Sequence, residues 1–571
     1  MDLAAKVNAI CADPAYQEEL ISLLLDMTAV ETTPNPDVAI MRDREAQVFQ
    51  RIRTYLKDCL PGQSRFEDRA VSPEIQHHPA YSLLHFTKTE SRPDGLPSEE
   101  VYDGRFNLLH CIDGEPSGGG RNMAFNAHID VVLPYFPPRR NGEKLFGRGI
   151  VDDKGNIAAI CGALKIVDAL VRGGDVQLKN KITSMFVVEE ETGGNGSLSL
   201  ALDRELKKRY DSILVMDVCS NRIHPANRGA VWFMADSAWK NGNAPRNASL
   251  LEATAYGVLA MQREGEAIKE ESVHPLFPHR PVQTCNGILG PFGNHPSGIC
   301  GLVVFTVNGV REGEMEAAVR GAIDAGLAEY IETYGDKTQV TDPATGAKKV
   351  DHHLDIERTG EATLRVAVHG STGHMGAILE NDAAITKWAY LMRAMIDLRR
   401  EREWVLCFEL EDFDSSERLV LEGGQGFLPT HPIEAVQERM AASFDRGVKG
   451  YLAQAGTPAD AIEFDVTYNK LHNAAFDGDA DSPSMKNALA AGLAVGMIEP
   501  DMPVRGWDVS CDSRLFASEY PEMPVITSGV GDLAAAHSDD EHLFLPDLWK
   551  ATAFCALYLL HETGSAERTV P

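Results

Sequence analysis

Apolar positions three and four apart (Leu20, Leu23, Leu24, Met27) predict a helix within the first forty residues, closing before the turn-rich TTPNPD at 32–37. A second helical pattern covers about 45–60. Short strand-like runs then alternate with helical ones: NMAFNAHIDVV (122–132), NIAAICGALKIVDALV (156–171), KITSMFVVEE (181–190), a polar helix near 198–209, and DSILVMD (211–217). Far downstream, MPVITSGVGD (523–532) predicts another strand and PDLWKATAFCALYLLHE a closing helix. Alternation of this kind points to an α/β fold built on a mostly parallel sheet.

Between these blocks, at 230–480, strands and helices are interrupted by the polar loops KNGNAPRNAS (240–249) and GDKTQVTDPATGAKK (335–349). We expect a separate inserted α+β domain there, dividing the first domain into 1–229 and 481–571. Inside it, EAAVRGAIDAGLAEYIETYG (316–335) lies over QERMAASFDRGVKGYLAQAG (437–456) at a constant offset of 121, matching Gly326 to Gly447, Tyr330 to Tyr451 and Gly335 to Gly456. Two related halves would produce this match, and so would chance similarity between two amphipathic helices.

The 571 residues carry 54 Lys+Arg against 84 Asp+Glu, a net charge of −30, which disfavours phosphate backbones and anionic lipid as partners. No apolar run approaches the ~20 residues a bilayer-spanning helix needs. The ten cysteines are scattered without a C-x-x-C pair, so neither a disulfide framework nor a thiolate metal site is expected. Acidic residues stand at the N-terminus where a signal peptide would be basic, and the expected location is cytoplasmic.

Candidate chemistry gathers at the ends of predicted strands. His128 and Asp130 in AFNAHIDVV are two apart on a strand and face one side, so Asp130 can orient the ring of a metal-binding His128. GRGIVDDKGN (147–156) holds Asp152 in a glycine-flanked turn, and FVVEEETGGNGS (186–197) sets three glutamates at the end of an apolar strand. Three adjacent anions repel one another unless a cation compensates. Asp217 ends DSILVMD, and His537 lies in GVGDLAAAHSDDEH (529–542). Each alone has a bland explanation as a turn, a cap or a solvated acid. Together, His128, Asp152, Glu190, Glu191, Asp217 and His537 fall where open α/β sheets place their sites. Two histidines with several carboxylates suit Zn²⁺, and the carboxylates suffice for two ions sharing one aspartate.

The motifs AHID, GRGIVDDKG, EEETGGNGS, the aspartate of VMDV, HGSTGHMG and GDLAAAHSDDE, in that order over about 128–541, resemble metallopeptidase family twenty. Its members are co-catalytic dizinc enzymes such as aminoacylase, carboxypeptidase G, carnosinase, succinyl-diaminopimelate desuccinylase and PepV-like dipeptidases. The resemblance implies a zinc-peptidase catalytic domain with an inserted lid or dimerisation-type domain. It implies that His128, Asp152 and Asp217 hold one Zn²⁺ and Asp152, Glu191 and His537 the other, with Co²⁺ or Mn²⁺ as substitutes. Asp152 would bridge, Glu190 would be the general base, Asp130 the orienting acid, and the Asp152–Asp153 peptide would be cis. His374 of HGSTGHMG would stabilise the oxyanion, with His369 as its neighbour, and Glu189 receives no role. Many relatives lend that histidine across a dimer interface, whereas PepV-like enzymes carry an enlarged lid that imitates the partner. The chain is thus expected to be a monomer with a self-sufficient lid or a homodimer.

The expected activity is hydrolysis of an amide or peptide bond in a dipeptide or N-acyl amino acid, by a dipeptidase, carboxypeptidase or amidohydrolase. Asn294 of GPFGNHP is a candidate substrate contact, and Arg514 or Arg228 a candidate partner for the substrate carboxylate. The competing reading is a catalytically inactive relative that binds metal or peptide, against which the retention of all five ligands and Glu190 weighs.

Overall fold

The computed structural model describes residues 2–566 apart from 243, 291–298, 342–347, 372–381, 534 and 539, and omits the side chains of 469–471. The chain divides into two compact units, one made of 1–227 with 475–571 and the other of 228–474.

The discontinuous unit is built on a seven-stranded sheet in the spatial order Ser64–Ala70, Phe106–Asp113, Lys181–Val187, Met123–His128, Ser212–Met216, Val525–Ser528, Ile223–His224. The four central strands run parallel, and antiparallel strands close both sides. Parallel strands covered on both faces are apolar throughout, and Met123–His128 and Ser212–Met216 are buried at every position. Met123, Phe125 and Ala127 join one core cluster while Ala124 joins another, as the two-residue period of a strand requires.

Helix Lys154–Arg172 is buried on nearly every side, packing against Leu545–Glu562 and Pro14–Thr28. Each fully buried Leu or Phe of that interface, such as Leu164, Leu548 and Phe554, contributes about 1.5–3 kcal/mol. The opening helix is broken in two, Leu3–Cys11 and Pro14–Thr28, because Asp13 caps a fresh start with Pro14 in the first helical turn. The next helix begins at Val38, earlier than the apolar spacing indicates, since Asp37 caps it.

The inserted unit contains two four-stranded antiparallel sheets. In chain order, one half runs strand Gly229–Trp239, helix Leu250–Glu271, strand Thr284–Gly290, then strand Arg418–Phe427, helix Ile433–Gln454, strand Ile462–Asn473. The other half, lying wholly within the interval between the second and third strands of the first, runs Leu302–Asn308, Glu314–Tyr334, Leu354–Gly360, Thr363–His369, Ala384–Glu401, Cys407–Leu410. Both are β-α-β-β-α-β units with the same strand order, second-third-first-fourth.

The helices matched at offset 121 are the first helix of one half and the second of the other, so the match does not connect equivalent elements. It reports a shared packing demand: Gly326 brings its helix against the backbone of Tyr390 and Leu391, and Gly447 does so against Tyr256 and Gly257. The paired tyrosines each donate to a buried acid, Tyr330 to Asp382 at 2.5 Å and Tyr451 to Glu252 at 2.9 Å.

His110, in the strand Phe106–Asp113, is buried against Phe66, and neither ring nitrogen has a hydrogen-bond partner among the described residues. Burial pushes its pKa down to about 4. The folded state therefore binds fewer protons than the unfolded one, and stability falls as pH drops from about 6.5 toward 4, by about 3 kcal/mol in all. His110→Leu is expected to flatten this slope in urea unfolding of the full chain at pH 7.5 and pH 5. Equal slopes in the two proteins would refute the assignment.

Candidate functional site

Because the four central strands are parallel, their C-terminal ends share one edge of the sheet. His128 ends its strand, Glu189, Glu190 and Glu191 follow Val187, and Asp217 directly follows Met216. Asp152 sits just before helix Lys154–Arg172, with a cis peptide to Asp153. The turn that carries it meets the loop that carries His537 through a small sheet in which Lys144–Phe146 pairs with His542–Phe544.

These residues converge. Asp152 offers one oxygen to each histidine: Oδ1 is 3.0 Å from His128 Nε2, and Oδ2 is 3.1 Å from His537 Nε2. The same His537 nitrogen is 3.1 Å from Glu191 Oε1. Donor atoms of His128, Asp152, Asp153 and Asp217 lie within 4.8 Å of one another, as do those of Asp152, Glu191 and His537. Glu190 Oε2 stands 4.0 Å from His128 Nε2. His128 Nδ1 faces the Asp130 backbone carbonyl at 3.1 Å and the Asp130 carboxylate at 3.4 Å. That carboxylate also accepts the backbone N–H groups of Glu190 and Glu191 at 3.1 and 3.0 Å. One acid thus fixes both the histidine ring and the two glutamates.

Burial and crowding set the protonation. Burial, followed by repulsion from Asp152, raises Asp217 to about 8. Burial likewise drives Asp153 and Glu190 well above the usual carboxylate range, with Asp217 adding to both. Burial opposes charging of the two histidines, yet the carboxylates beside them outweigh it and hold both imidazoles well above their ordinary value. Asp152 moves the other way, because the two imidazoles close against its oxygens overcome burial. A cation seated among these groups would reverse that balance and let the acids ionise together. The donor set fits such an ion: the buried Nε2 of His128 forms no directed hydrogen bond to any described residue although Asp152 Oδ1 lies 3.0 Å away, and two imidazoles with surrounding carboxylates match the ligand chemistry of Zn²⁺.

Several supporting residues escape a reading of motifs. Glu189 turns away from the cluster and is buried against Arg105, and it accepts from Tyr102 Oη at 2.8 Å. Arg105 is fully buried and also holds Glu45 through Nε at 3.0 Å and Nη2 at 2.6 Å. Glu541 accepts the backbone N–H groups of Gly149, Val151 and Asp152 at 2.9, 3.0 and 3.2 Å, and pairs with Arg148 at 2.6 Å. The turn bearing Asp152 is therefore tied to the loop bearing His537 by a buried ion pair. Gly193 and Gly194 have φ of +118° and +84°, and a Cβ there would strike Ser82 and Asp512. The only sequence signal for Glu541 is its place four residues after His537, and Arg105 gives none.

His374 and Asn294 lie outside the described residues. His369 ends a strand of the inserted unit, where Asp355 accepts from its ring. Arg514 is buried and donates to the backbone carbonyls of Cys511 and Gly193 at 2.9 and 2.8 Å, bracing the turn that follows the glutamates. Arg228 is buried and donates to the Pro281 carbonyl at 3.2 Å. All ten cysteines are unpaired. No helix among the described residues is long and apolar enough to cross a membrane.

Comparison with known proteins adds findings of three kinds: a family model, curated relatives and solved structures. A family model described as Peptidase family M20/M25/M40 matches residues 124–561. Carboxypeptidase G2 of Pseudomonas sp. (strain RS-16) is 34% identical over 142 residues, 24% of this chain and 31% of that protein. Succinyl-diaminopimelate desuccinylase of Novosphingobium aromaticivorans is 42% identical over 77 residues, 12% of this chain and 20% of that one. The matches thus span about a third or less of these curated relatives' length. In fold, the chain is similar to the dipeptidase Dug1p from Saccharomyces cerevisiae (TM-score 0.54, 13% identity, 99% of each chain covered). It is also similar to human carnosine dipeptidase 1 (TM-score 0.52, 14% identity, 98% of this chain and 100% of that chain).

Arg105→Met leaves Glu45 and Glu189 buried without their cation. It is expected to destabilise the discontinuous unit by about 3–5 kcal/mol in urea unfolding. Adding Glu45→Gln and Glu189→Gln should recover part of that loss, and an Arg105→Met protein as stable as the parent would exclude the ion pair as a structural support.

Proposed function

The chain belongs to peptidase family M20/M25/M40, and on that premise we propose that it is a dinuclear zinc hydrolase cleaving the amide or peptide bond of a dipeptide or N-acyl amino acid. The observation that carries this reading is the position of Asp152, with one oxygen toward His128 and the other toward His537, beside a Glu190 whose backbone N–H is held by Asp130 and whose carboxylate stands 4.0 Å from His128. His128, Asp152 and Asp217 would hold one ion, and Asp152, Glu191 and His537 the other. When bound, the two ions polarise the scissile carbonyl and acidify the attacking water.

The chain's own groups perform the proton transfers. Glu190 takes a proton from the attacking water as the water oxygen bonds to the carbonyl carbon. As the C–N bond breaks, Glu190 passes that proton to the leaving amine. Asp130 keeps the base in reach by holding the Glu190 and Glu191 amides. His374, assigned through the family motif, stabilises the oxyanion. A free carboxylate on the substrate accords with the carboxypeptidase and desuccinylase relatives. The two β-α-β-β-α-β halves of the inserted unit favour a lid supplied by one chain, and ten unpaired cysteines favour the cytoplasm.

Glu190→Gln is expected to retain metal in elemental analysis while kcat falls by about 10²–10⁴-fold; near-normal turnover would remove Glu190 from the role of base. His374→Ala should keep the same metal content and lose about 10²–10³-fold in kcat, with an unchanged kcat counting against the oxyanion assignment. A panel of dipeptides and N-acyl amino acids, followed by release of free amino acid, reads the substrate class. Activity should vanish on chelation and return with Zn²⁺, and release that survives complete metal removal would defeat the hydrolytic reading.

A further inference from the structure

The inserted unit carries a second group of metal-type donors. In the hairpin formed by Leu354–Gly360 and Thr363–His369, Asp355 lies opposite Ala367, and His369 stands two residues beyond Ala367 on the same face. His352, just before the first strand, turns back onto the same carboxylate. A single oxygen, Asp355 Oδ2, is 3.0 Å from His352 Nε2 and 2.7 Å from His369 Nε2. The two rings are 4.5 Å apart between centroids, and the three donor atoms lie within 4.8 Å of one another. His352 and Asp355 are exposed and His369 is half-buried, so an ion has an open path to them.

A surface hydrogen-bonded triad is the simplest explanation of such a group, but exposed charge pairs contribute only about 0–1 kcal/mol and do little to order two histidines. Two features go further. The observed separations are close to the ~3.3 Å between ligand atoms of a tetrahedral site with bonds near 2.0 Å, so a small divergence of the side chains would seat an ion. The backbone beneath is also held firmly: His369 donates its N–H to His353 O at 2.9 Å, and its own carbonyl accepts from Lys387, which is buried and paired with Asp382 at 2.7 Å. Rigid support of this kind is what a binding site requires from the elements that carry it.

We propose that His352, Asp355 and His369 form a solvent-accessible site for a borderline divalent cation, Zn²⁺ first, in addition to the cluster around Asp152. Two neutral imidazoles and one carboxylate supply three ligands and leave a fourth position to water. On binding, each imidazole donates its Nε2 lone pair to the ion and carries its proton on Nδ1, and Asp355 exchanges two N–H···O bonds for one bond to the metal. The ion would pin His352 to His369, the last residue of its strand.

The test compares the full-length protein with His352→Ala/His369→Ala and with Asp355→Asn after dialysis against micromolar Zn²⁺. Elemental analysis is expected to find one Zn²⁺ more per chain in the parent than in the double variant. Loss of ligands should cost at least the ~10–100-fold in affinity that loss of outer partners costs metal sites. With Cu²⁺ added to the Zn²⁺-loaded proteins, electron paramagnetic resonance should show coupling to two imidazole nitrogens in the parent alone. Zn²⁺ should also slow hydrogen exchange at 352–356 and 366–369 in the parent and in neither variant. Equal Zn²⁺ counts in parent and double variant overturn the proposal, as does a Cu²⁺ signal that both share. The readout is a difference between two proteins, so it stands apart from whether the cluster around Asp152 hydrolyses anything. Asp355→Asn, which removes one charge and little volume, keeps the test valid should the double variant fold poorly.

Discussion

The constraint on which this molecule turns is the burial of too many carboxylates in too small a space. Asp152, Asp153, Glu190, Glu191 and Asp217 meet where four parallel strands end, and among the described residues His128 and His537 are the groups in that cluster able to carry positive charge. In a low-dielectric setting such a group keeps protons or recruits cations. The fold brings the carboxylates close enough to repel and aims two of their oxygens at different histidines, an arrangement of little use to stability alone. Its physical sense is a receptor for positive charge.

Holding repelling groups in place demands anchors that do not share their work. The anchors here are buried arginines behind the cluster, not members of it. Arg148 with Glu541 fastens the Asp152 turn to the His537 loop, and Arg105 with Glu45 and Glu189 fastens the strand end that carries Glu190 and Glu191. Both pairs are fully desolvated, so their net contribution to folding is modest while the loss of one partner is severe. Their role is positional. Two loops far apart in sequence are kept in register by charges that solvent cannot screen.

The site was legible in the sequence because its chemistry is local: each candidate ligand sits at the end of an apolar run, and parallel topology sends those ends to one edge. The anchors were not legible, since Arg105 lies 84 residues before Glu189 and looks like any surface arginine. The strands Ser64–Ala70 and Phe106–Asp113 leave little trace in the residues for a related reason: the first is an edge strand with mixed polarity, and the second hides a buried histidine among apolar residues. The inserted unit misled in a more instructive way. Its halves are nested, so no single offset aligns them, and what survives in the residues is the demand for a glycine at each close helix crossing and a tyrosine one turn further on.

The run Glu189–Glu190–Glu191 shows how three identical residues acquire three environments. In an unbroken strand their side chains would alternate, leaving Glu189 and Glu191 on one face. Glu189 instead adopts φ of +66°, a left-handed conformation that a side chain rarely accepts without compensation. The compensation is its double attachment to Arg105 and Tyr102, which draws the first carboxylate inward. The turn thus made points the next two amides at Asp130, sets Glu191 against His537, and leaves the carboxylate of Glu190 held by no hydrogen bond to any described residue. Identity of sequence is resolved by backbone geometry: among the described residues the first carboxylate meets Arg105 and Tyr102, the third meets His537, and the second meets no hydrogen-bond donor.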